Sequence, residues 1–371
     1  MRNDVKDNAA IRFNYVSELY QSGVNTAKEM CLNKIGNPFA DLHREGYLHI
    51  HDLEGYGKVY NCCTPEFSSW LSAGNSNAVT EHGKMFSIWE YIKNLIIHLA
   101  TNQTGGIAIA NFDWEVAQAL YASSIEHTQE NVSFLQDCVD EFIRWINTTY
   151  TRYCREPYYV TLNIGLDTSE WGRSVSHSLL RAYMESPNLY TRPNIVFKVK
   201  RTINGQEAPN SDLFQTALKC TAKRMIPTYL LTDSSVNQAC DPYKLAIMGC
   251  RTRIYENKNG ETGAIGRGNI ACVSVNLPRV ALINHSLKSF YQSLGALMKQ
   301  AEELLLNRAA LFRDQGEQYL QFVLDNQLWN VSSVKAMIEQ GTLSIGFIGI
   351  PECVEILTGQ RPYEDEKSQE L

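Results

Sequence analysis

The sequence predicts an α/β fold, a barrel or a doubly wound sheet, on three observations. From about residue 157 onward, short apolar runs rich in β-branched residues alternate with helical patterns to the end of the chain. The preceding third carries the periodicity of amphipathic helices. The chain has 371 residues, long for one domain but within the size of a large α/β barrel.

The elements follow in order. Ala9 to Ile35 spaces Ile11, Phe13, Tyr15, Val16, Leu19 and Tyr20 as a helix would, with breaks expected near Gly23 and Gly36. Met85 to Ala100 forms a second helix with Met85, Ile88, Tyr91, Ile92, Leu95, Ile96 and Leu99 on one face. Phe112 to Tyr150 holds one or two long helices, suited to a barrel exterior or a dimer interface. Tyr158 to Ile164 and Asn194 to Lys200 read as strands, the second ahead of a turn at Asn204-Gly205. Asp212 to Lys223 is helical and Pro227 to Thr232 strand-like. Ile270 to Leu277 is a candidate buried strand, and Leu287 to Phe312 a long helix. Leu343 to Gly349 is a short apolar strand, after which Pro351 starts a helix. Tyr363 to Leu371 is polar, with no closing element expected.

Composition narrows the function classes. A net charge of -6 argues against a dominant nucleic-acid surface, which is usually basic. The local cluster Lys198, Lys200 and Arg201 could hold phosphate, although an exposed strand end is the plainer reading. Ten cysteines without a scaffold pattern or a preceding signal peptide point to a reduced, cytoplasmic setting. No Cys-x2-Cys pair is present, so the usual structural zinc signature is missing. The longest apolar runs, such as Leu95 to Ala100, are too short and too polar for a membrane span.

Two constellations carry chemistry. The first is Cys250, alone on what reads as a loop. An isolated cysteine is ordinarily a small buried hydrophobe. Its surroundings shift that reading. Gly249 permits a tight path, Arg251 and Arg253 can anchor the loop or meet phosphate, and Gly266-Arg267-Gly268 marks a second irregular segment before a strand. The glycine spacing is neither a Walker nor a Rossmann fingerprint. The second constellation is His49-Ile50-His51-Asp52, followed by Asn61-Cys62-Cys63. Alternation on an extended segment puts both histidines on one face. Those residues could form a surface strand beside a vicinal cysteine pair in a core, a His-x-His-Asp metal site, or part of a catalytic site.

Ala246-Ile-Met-Gly-Cys-Arg-Thr-Arg253, then Gly266-Arg-Gly-Asn-Ile-Ala271 and Val275-Asn-Leu-Pro-Arg279, resembles the finger loop and following strand of the anaerobic (class III) ribonucleotide reductases, glycyl radical enzymes. Gly46-Tyr-Leu-His-Ile-His-Asp-Leu53 with Asn61-Cys-Cys63 is similar to the family's second cysteine motif. Further ordered matches, among them Asn102 to Asp113, Phe197 to Lys200, Thr221 to Tyr229 and Ser344 to Gly359, extend the likeness from about residue 8 to 365.

The resemblance implies a glycyl-radical-enzyme-type ten-stranded α/β barrel, present in part, with a central finger loop and a helical N-terminal region. It makes residues 1–371 the catalytic barrel domain, 1–150 mostly helical and 151–371 alternating. It implies that Cys250 forms the thiyl radical abstracting the ribose 3'-hydrogen, with Met248 lining the same loop. Asn269 would sit at the substrate hydroxyls, and Cys62 would donate hydrogen from the opposite face, with Cys63 as the alternative. His49, His51 and Asn61 would line the site. A thiyl radical forms by hydrogen-atom transfer, so the sulfur must stay a neutral thiol, which an apolar setting favours. Asn269 can donate and accept without adding charge.

The resemblance further implies ribonucleoside triphosphate substrates, formate as reductant, dNTP and ATP effectors, a radical-SAM iron–sulfur activase and a homodimer. The family's Arg-Val-x-Gly-Tyr loop, its four-cysteine zinc module and its ATP-cone have no match here. The expectation is therefore that either another polypeptide supplies the glycyl radical loop or the chain is a truncated product, that zinc belongs to the missing segment, and that the isolated chain does not turn over. Two rivals are a formate-lyase type of glycyl radical enzyme and a non-catalytic nucleotide-binding fragment. Formate-lyases can carry adjacent cysteines at the finger loop. Here the adjacent pair lies at 62 and 63 while Cys250 stands alone.

Overall fold

A computed structural model describes residues 14–73, 77–150, 157–249, 252–284, 286–364 and 366–369. Cys250 and Arg251, and the start of the first predicted helix, lie outside the described residues. The chain divides into two compact units. The first is built mainly from Cys62–Gly268 and Leu320–Gln340, the second from Leu19–Asn61, Asn269–Tyr319 and Gly341–Leu371.

The first unit centres on a parallel sheet. Its strands are β2 (Cys62–Thr64), β3 (Ile107–Ile109), β4 (Val160–Ile164), β5 (Asn194–Val199) and β6 (Thr228–Leu231), side by side in chain order. Parallel neighbours need long crossovers, and helices supply them. Glu81–Asn102 joins β2 to β3, Phe112–Ala122 and Gln129–Thr148 join β3 to β4, and Glu170–Glu185 joins β4 to β5. Three of these begin at a side-chain cap that the sequence encodes. Thr80, Thr128 and Ser169 accept the backbone N–H three residues on, satisfying one of the orphan donors of the first turn. The helices pack on one another, Glu170–Glu185 against Phe112–Ala122 and Gln129–Thr148. In Glu81–Asn102 the buried face is Met85, Trp89, Ile92, Leu95, Ile96 and Leu99. Trp89, four residues after Met85 and three before Ile92, falls on this face by helical spacing, whereas Ile88 and Tyr91 are half-buried.

Two further strands, β7 (Ala246–Met248) and β8 (Thr252–Ile254), form an antiparallel hairpin. Strand β7 packs against β2, β3 and β4. The residues flanking the segment that read as a loop are therefore paired strands of a finger on the sheet, and Cys250 itself lies outside the described residues. Its strands are three residues each, too short to show a period.

In the second unit β9 (Arg267–Asn276, of which 269 onward belong here) pairs antiparallel with β1 (Leu48–Ile50) and parallel with β10 (Thr342–Ile348). The helix Leu287–Gln315, capped by Ser286, packs against β10.

Several expectations need correction. The N-terminal third, read as mostly helical, also holds three short strands, β1, β2 and β3, that the sequence reading did not place. The first helix, Tyr15–Ile35, runs through Gly23 without a break. Nothing approaches that glycine, so its cost is only the propensity loss of about 1 kcal/mol. A short helix, Glu366–Gln369, lies in the polar segment that was read without a closing element and, by resemblance, as part of a helix. Lys198 is not an exposed strand end. It is 1% exposed, and its Nζ donates to Asn111 Oδ1 at 2.9 Å and to the Pro242 carbonyl at 3.0 Å. Lys200 meets Asp233 at 3.4 Å, so the basic cluster is divided between two internal roles.

Candidate active site

The hairpin is held to the sheet by polar side chains that face it from β4 and β5. Asn163, fully buried on β4, donates to the carbonyls of Ile109 and Ile247 and accepts the Ile247 N–H at 3.0 Å. Thr161, two residues earlier on the same face, donates its hydroxyl to the Gly249 carbonyl. Asn194, at the start of β5, donates to that carbonyl as well, at 3.3 Å. Position 249 is in the left-handed region (φ 63°), where glycine is strain-free. The residue preceding Cys250 is thus fixed from two strands. On the other flank Met248 and Thr252 are paired across the hairpin.

Cys62 opens β2. Its Sγ accepts the Gly106 N–H at 3.0 Å. A Cβ at position 106 would stand 3.5 Å from the Gly249 Cα, so Gly106 lies between the Cys62 sulfur and the tip of the finger. Cys62 also packs against a small apolar cluster that contains Met248, Ala108, Ala110 and Ile254. Cys63, pointing the other way as strand alternation requires, is fully buried and donates its S–H to Gln103 Oε1 at 3.0 Å. Of the two adjacent thiols, Cys62 alone faces the finger. The Cys62 carbonyl lies against Gly268, where any Cβ would collide with it and with the Trp329 ring.

The remaining expected residues belong to the second unit. Asn269 is 3% exposed. Its Nδ2 donates to Thr342 Oγ1 at 2.9 Å and to Ser344 Oγ, while its Oδ1 is buried without a hydrogen-bond partner. A buried amide oxygen left unpaired costs about 1–3 kcal/mol, and a hydroxyl donor from a ligand would satisfy it. The Asn61 N–H donates to the carbonyls of Asn269 and Ile270, and its side chain donates to Asp52 Oδ2 at 2.9 Å. His49 and His51 stand edge to face with ring centroids 4.6 Å apart, on one side of the β1 extension as their spacing predicted. His51 Nε2 bonds Ser274 Oγ at 2.8 Å. Partial burial, then the charge of Lys28, holds the His49 pKa below its ordinary value. The turn after His51 is clamped by Arg308, a buried guanidinium that donates to the His51 and Asp52 carbonyls at 2.6 and 3.4 Å.

The arginines near the finger do structural work. Arg253 bonds Glu256 and Asn237, and Arg267 ties together the carbonyls of Gly263, Glu256 and Gln340. Neither is presented as a phosphate arm, and Arg251 lies outside the described residues. Among the described residues no group of three or more His, Cys, Asp or Glu side chains is disposed to hold a metal. The eight described cysteines are all free thiols.

Sequence reasoning did not find Thr161, Asn163, Asn194 or Gly106. The first two had a signal, polar residues at alternate positions of an otherwise apolar strand. A buried strand face keeps such groups only when they bond something.

A family model described as anaerobic ribonucleoside-triphosphate reductase matches residues 7–371. The anaerobic ribonucleoside-triphosphate reductases of Haemophilus influenzae and Escherichia coli are each 28% identical to this chain. The matches cover 91% and 88% of it, but 52% and 50% of those proteins. The enzyme of that name from phage T4 is 24% identical, over 90% of this chain and 62% of its own length. The chain spans about half the length of the bacterial relatives it matches. Among solved structures, the anaerobic ribonucleotide reductase of Thermotoga maritima in complex with dATP and CTP superposes with a TM-score of 0.65 at 12% identity. That superposition covers 92% of this chain and 59% of the other, a likeness of fold. No described helix is long and apolar enough to cross a membrane.

Proposed function

The chain belongs to the anaerobic ribonucleoside-triphosphate reductase family, and from that premise we propose that residues 1–371 form the catalytic barrel of an enzyme reducing ribonucleoside triphosphates to deoxyribonucleoside triphosphates. The observation that carries this reading is the convergence at Gly106. One side of that residue holds the Cys62 sulfur, and the other meets the residue preceding Cys250. Two cysteine-bearing segments far apart in sequence thus share one backbone neighbour, as chemistry between two thiols and one sugar requires.

In the proposed mechanism a glycyl radical, when available to the assembled enzyme, supplies the oxidising equivalent that generates the sulfur radical at Cys250. The chain's own residues do the rest. Thr161 and Asn194 hold the finger tip so that the sulfur meets the ribose in one orientation. Cys250 removes the 3'-hydrogen, the 2'-hydroxyl takes a proton and leaves as water, and Cys62 gives a hydrogen atom to C2'; the reductant then restores the hydrogen of Cys62 and adds one electron, with a proton, to the 3'-ketone, and Cys250 returns its hydrogen to C3'. Met248 packs beside Cys62 and keeps water from this face. Asn269 accepts a ribose hydroxyl through its unpaired Oδ1. His49 and His51 line the site, where an imidazole can carry a proton. The two electrons come from formate, which leaves as carbon dioxide. We also assign to the assembled enzyme a radical-SAM activase, dNTP and ATP effectors, a homodimeric state and a cytoplasmic setting.

Replacement of Cys250 by alanine tests the reading. In enzyme reconstituted with a glycyl radical source, nucleotide reduction disappears while nucleotide binding is kept. Residual turnover by Cys250→Ala defeats the proposal. Binding without any reduction by the unaltered chain would instead favour a regulatory fragment.

A further inference from the structure

Within the first unit, the turn at 241–245 leads directly into β7 and forms the foot of the finger. It is closed by the Leu245 N–H on the Asp241 carbonyl at 3.0 Å and by the Tyr243 N–H on Asp241 Oδ1 at 2.9 Å. Two side chains grip its carbonyls. Lys198 Nζ, on β5, donates to the Pro242 carbonyl at 3.0 Å, and Asn111 Nδ2, just after β3, donates to the Tyr243 carbonyl at 2.8 Å. Lys198 also donates to Asn111 Oδ1 at 2.9 Å, which joins the two into one clamp. We propose that Lys198, through this clamp, is a positioning residue for Cys250: it fixes the foot of the finger and so sets how far along the sheet the tip reaches. Its bearing on the reaction rests on the proposed function, whereas the clamp does not.

Length is the first support. Asn194, Val196 and Lys198 alternate onto one face of β5. Asn194 donates to the Gly249 carbonyl at the tip, Val196 packs with Leu245, and Lys198 bonds the Pro242 carbonyl at the foot. One strand thus carries an anchor for each end of the finger. Four residues of strand put those anchors about 13 Å apart. The chain between positions 242 and 249 could span about 23 Å if extended. The turn takes up the difference, and a released turn would let the tip slide along the sheet. Burial is the second support. Lys198 is 1% exposed, and burial pushes its pKa down to about 7. The carboxylates that act on its charge, those of Asp113, Glu115 and Asp241, accept no hydrogen bond from it. An apolar side chain of the same length would avoid the cost of burying an ammonium. What the ammonium adds is two directed bonds, one on the foot of the finger and one on the residue that grips it beside.

The test follows hydrogen exchange over 241–249 in the 371-residue protein. Lys198→Met keeps a long side chain but donates no bond, and is expected to speed exchange there about ten-fold or more, with β3 and β4 within about two-fold of the parent. Asn111→Ala removes the other half of the clamp at a half-buried position and should give the same local pattern, a reading that stands even where Lys198→Met does not fold. Because the two side chains act as one unit, the double variant should exceed the larger single effect by less than about three-fold. In enzyme reconstituted with a glycyl radical source, Lys198→Met should lower kcat about ten-fold or more with KM within about two-fold, since a displaced sulfur leaves the substrate contacts in place. Parent-like exchange at 241–249 in both single variants, acceleration spread evenly over β3 to β6, fully multiplied effects in the double variant, or an unchanged kcat beside a loosened turn would each overturn the proposal. A parent that does not turn over counts against the reductase reading instead, and exchange still decides the clamp.

Discussion

Asn163→Ala should loosen the finger without touching a proposed reacting group. The wild-type side chain makes three bonds, to the Ile109 carbonyl at 3.0 Å, to the Ile247 carbonyl at 3.1 Å and from the Ile247 N–H at 3.0 Å. Each backbone group left unpaired in a buried setting costs about 1–3 kcal/mol. A water entering the space of the lost amide can recover part of this. A net loss of about 3 kcal/mol follows, a large share of the 5–15 kcal/mol typical of a folded domain. Two of the three bonds go to β7, so the loss should concentrate on local opening of the hairpin. At 1.4 kcal/mol per factor of ten, hydrogen exchange in the peptide 246–254 should accelerate by about 100-fold. Mass spectrometry of exchange reads this directly, with β5 as internal reference. Protection at 246–254 within two-fold of the parent, or a loss spread evenly over β3 to β6, would refute the idea that Asn163 anchors the finger.

Cys62→Ala should abolish reconstituted nucleotide reduction, whereas Cys63→Ala should retain it and lose only about 1 kcal/mol for its bond to Gln103; the reverse pattern in paired assays would reassign the second cysteine. Gly268→Ala should lower stability by at least about 2 kcal/mol, because the new methyl meets the Cys62 carbonyl and the Trp329 ring, neither of which can move cheaply; a parent-like urea midpoint would contradict the packing described. Glu115 is pushed up to about 8 by burial. Its proton is therefore held by the folded chain and released by the unfolded one between the ordinary carboxylate range and pH 8. The stability it contributes is full below about pH 4.5 and is lost as pH rises through 8. Glu115→Gln cannot ionise, so its melting temperature should fall less than the parent's between pH 5 and pH 8.5; parallel melting curves would argue against this.

The longer elements were legible because length makes periodicity visible. The strands at Val160, Asn194 and Arg267 and the helices at Ser211 and Leu287 start within three residues of the boundaries read from the sequence. The strands at Cys62, Ile107, Ala246 and Thr252 were not found. Each is three residues long, so tertiary pairing and not local pattern defines it. The candidate site was legible as motifs but not as contacts. His49 and His51 share a side as their spacing required, yet nothing in Asn61-Cys62-Cys63 says which thiol turns toward the finger. The register of β2 on β3 decides that, pairing Cys63 with Ile107. Lys198 was misjudged for a related reason. Its lining of Asn111 and the Pro242 carbonyl comes from loops remote in sequence, and a charged residue at a strand end gives no hint that such partners wait for it.

One bond that reaches the Cys62 sulfur comes from a main-chain amide, and position 106 has no side chain to delete. An alanine scan can therefore remove this contact only from the sulfur's end, together with the thiol itself, and never from the donor's. Only a change in the peptide linkage itself, proline at 106 or an amide-to-ester replacement, removes the hydrogen. This part of the sulfur's surroundings is written in the course of the backbone, where no side-chain replacement reaches it.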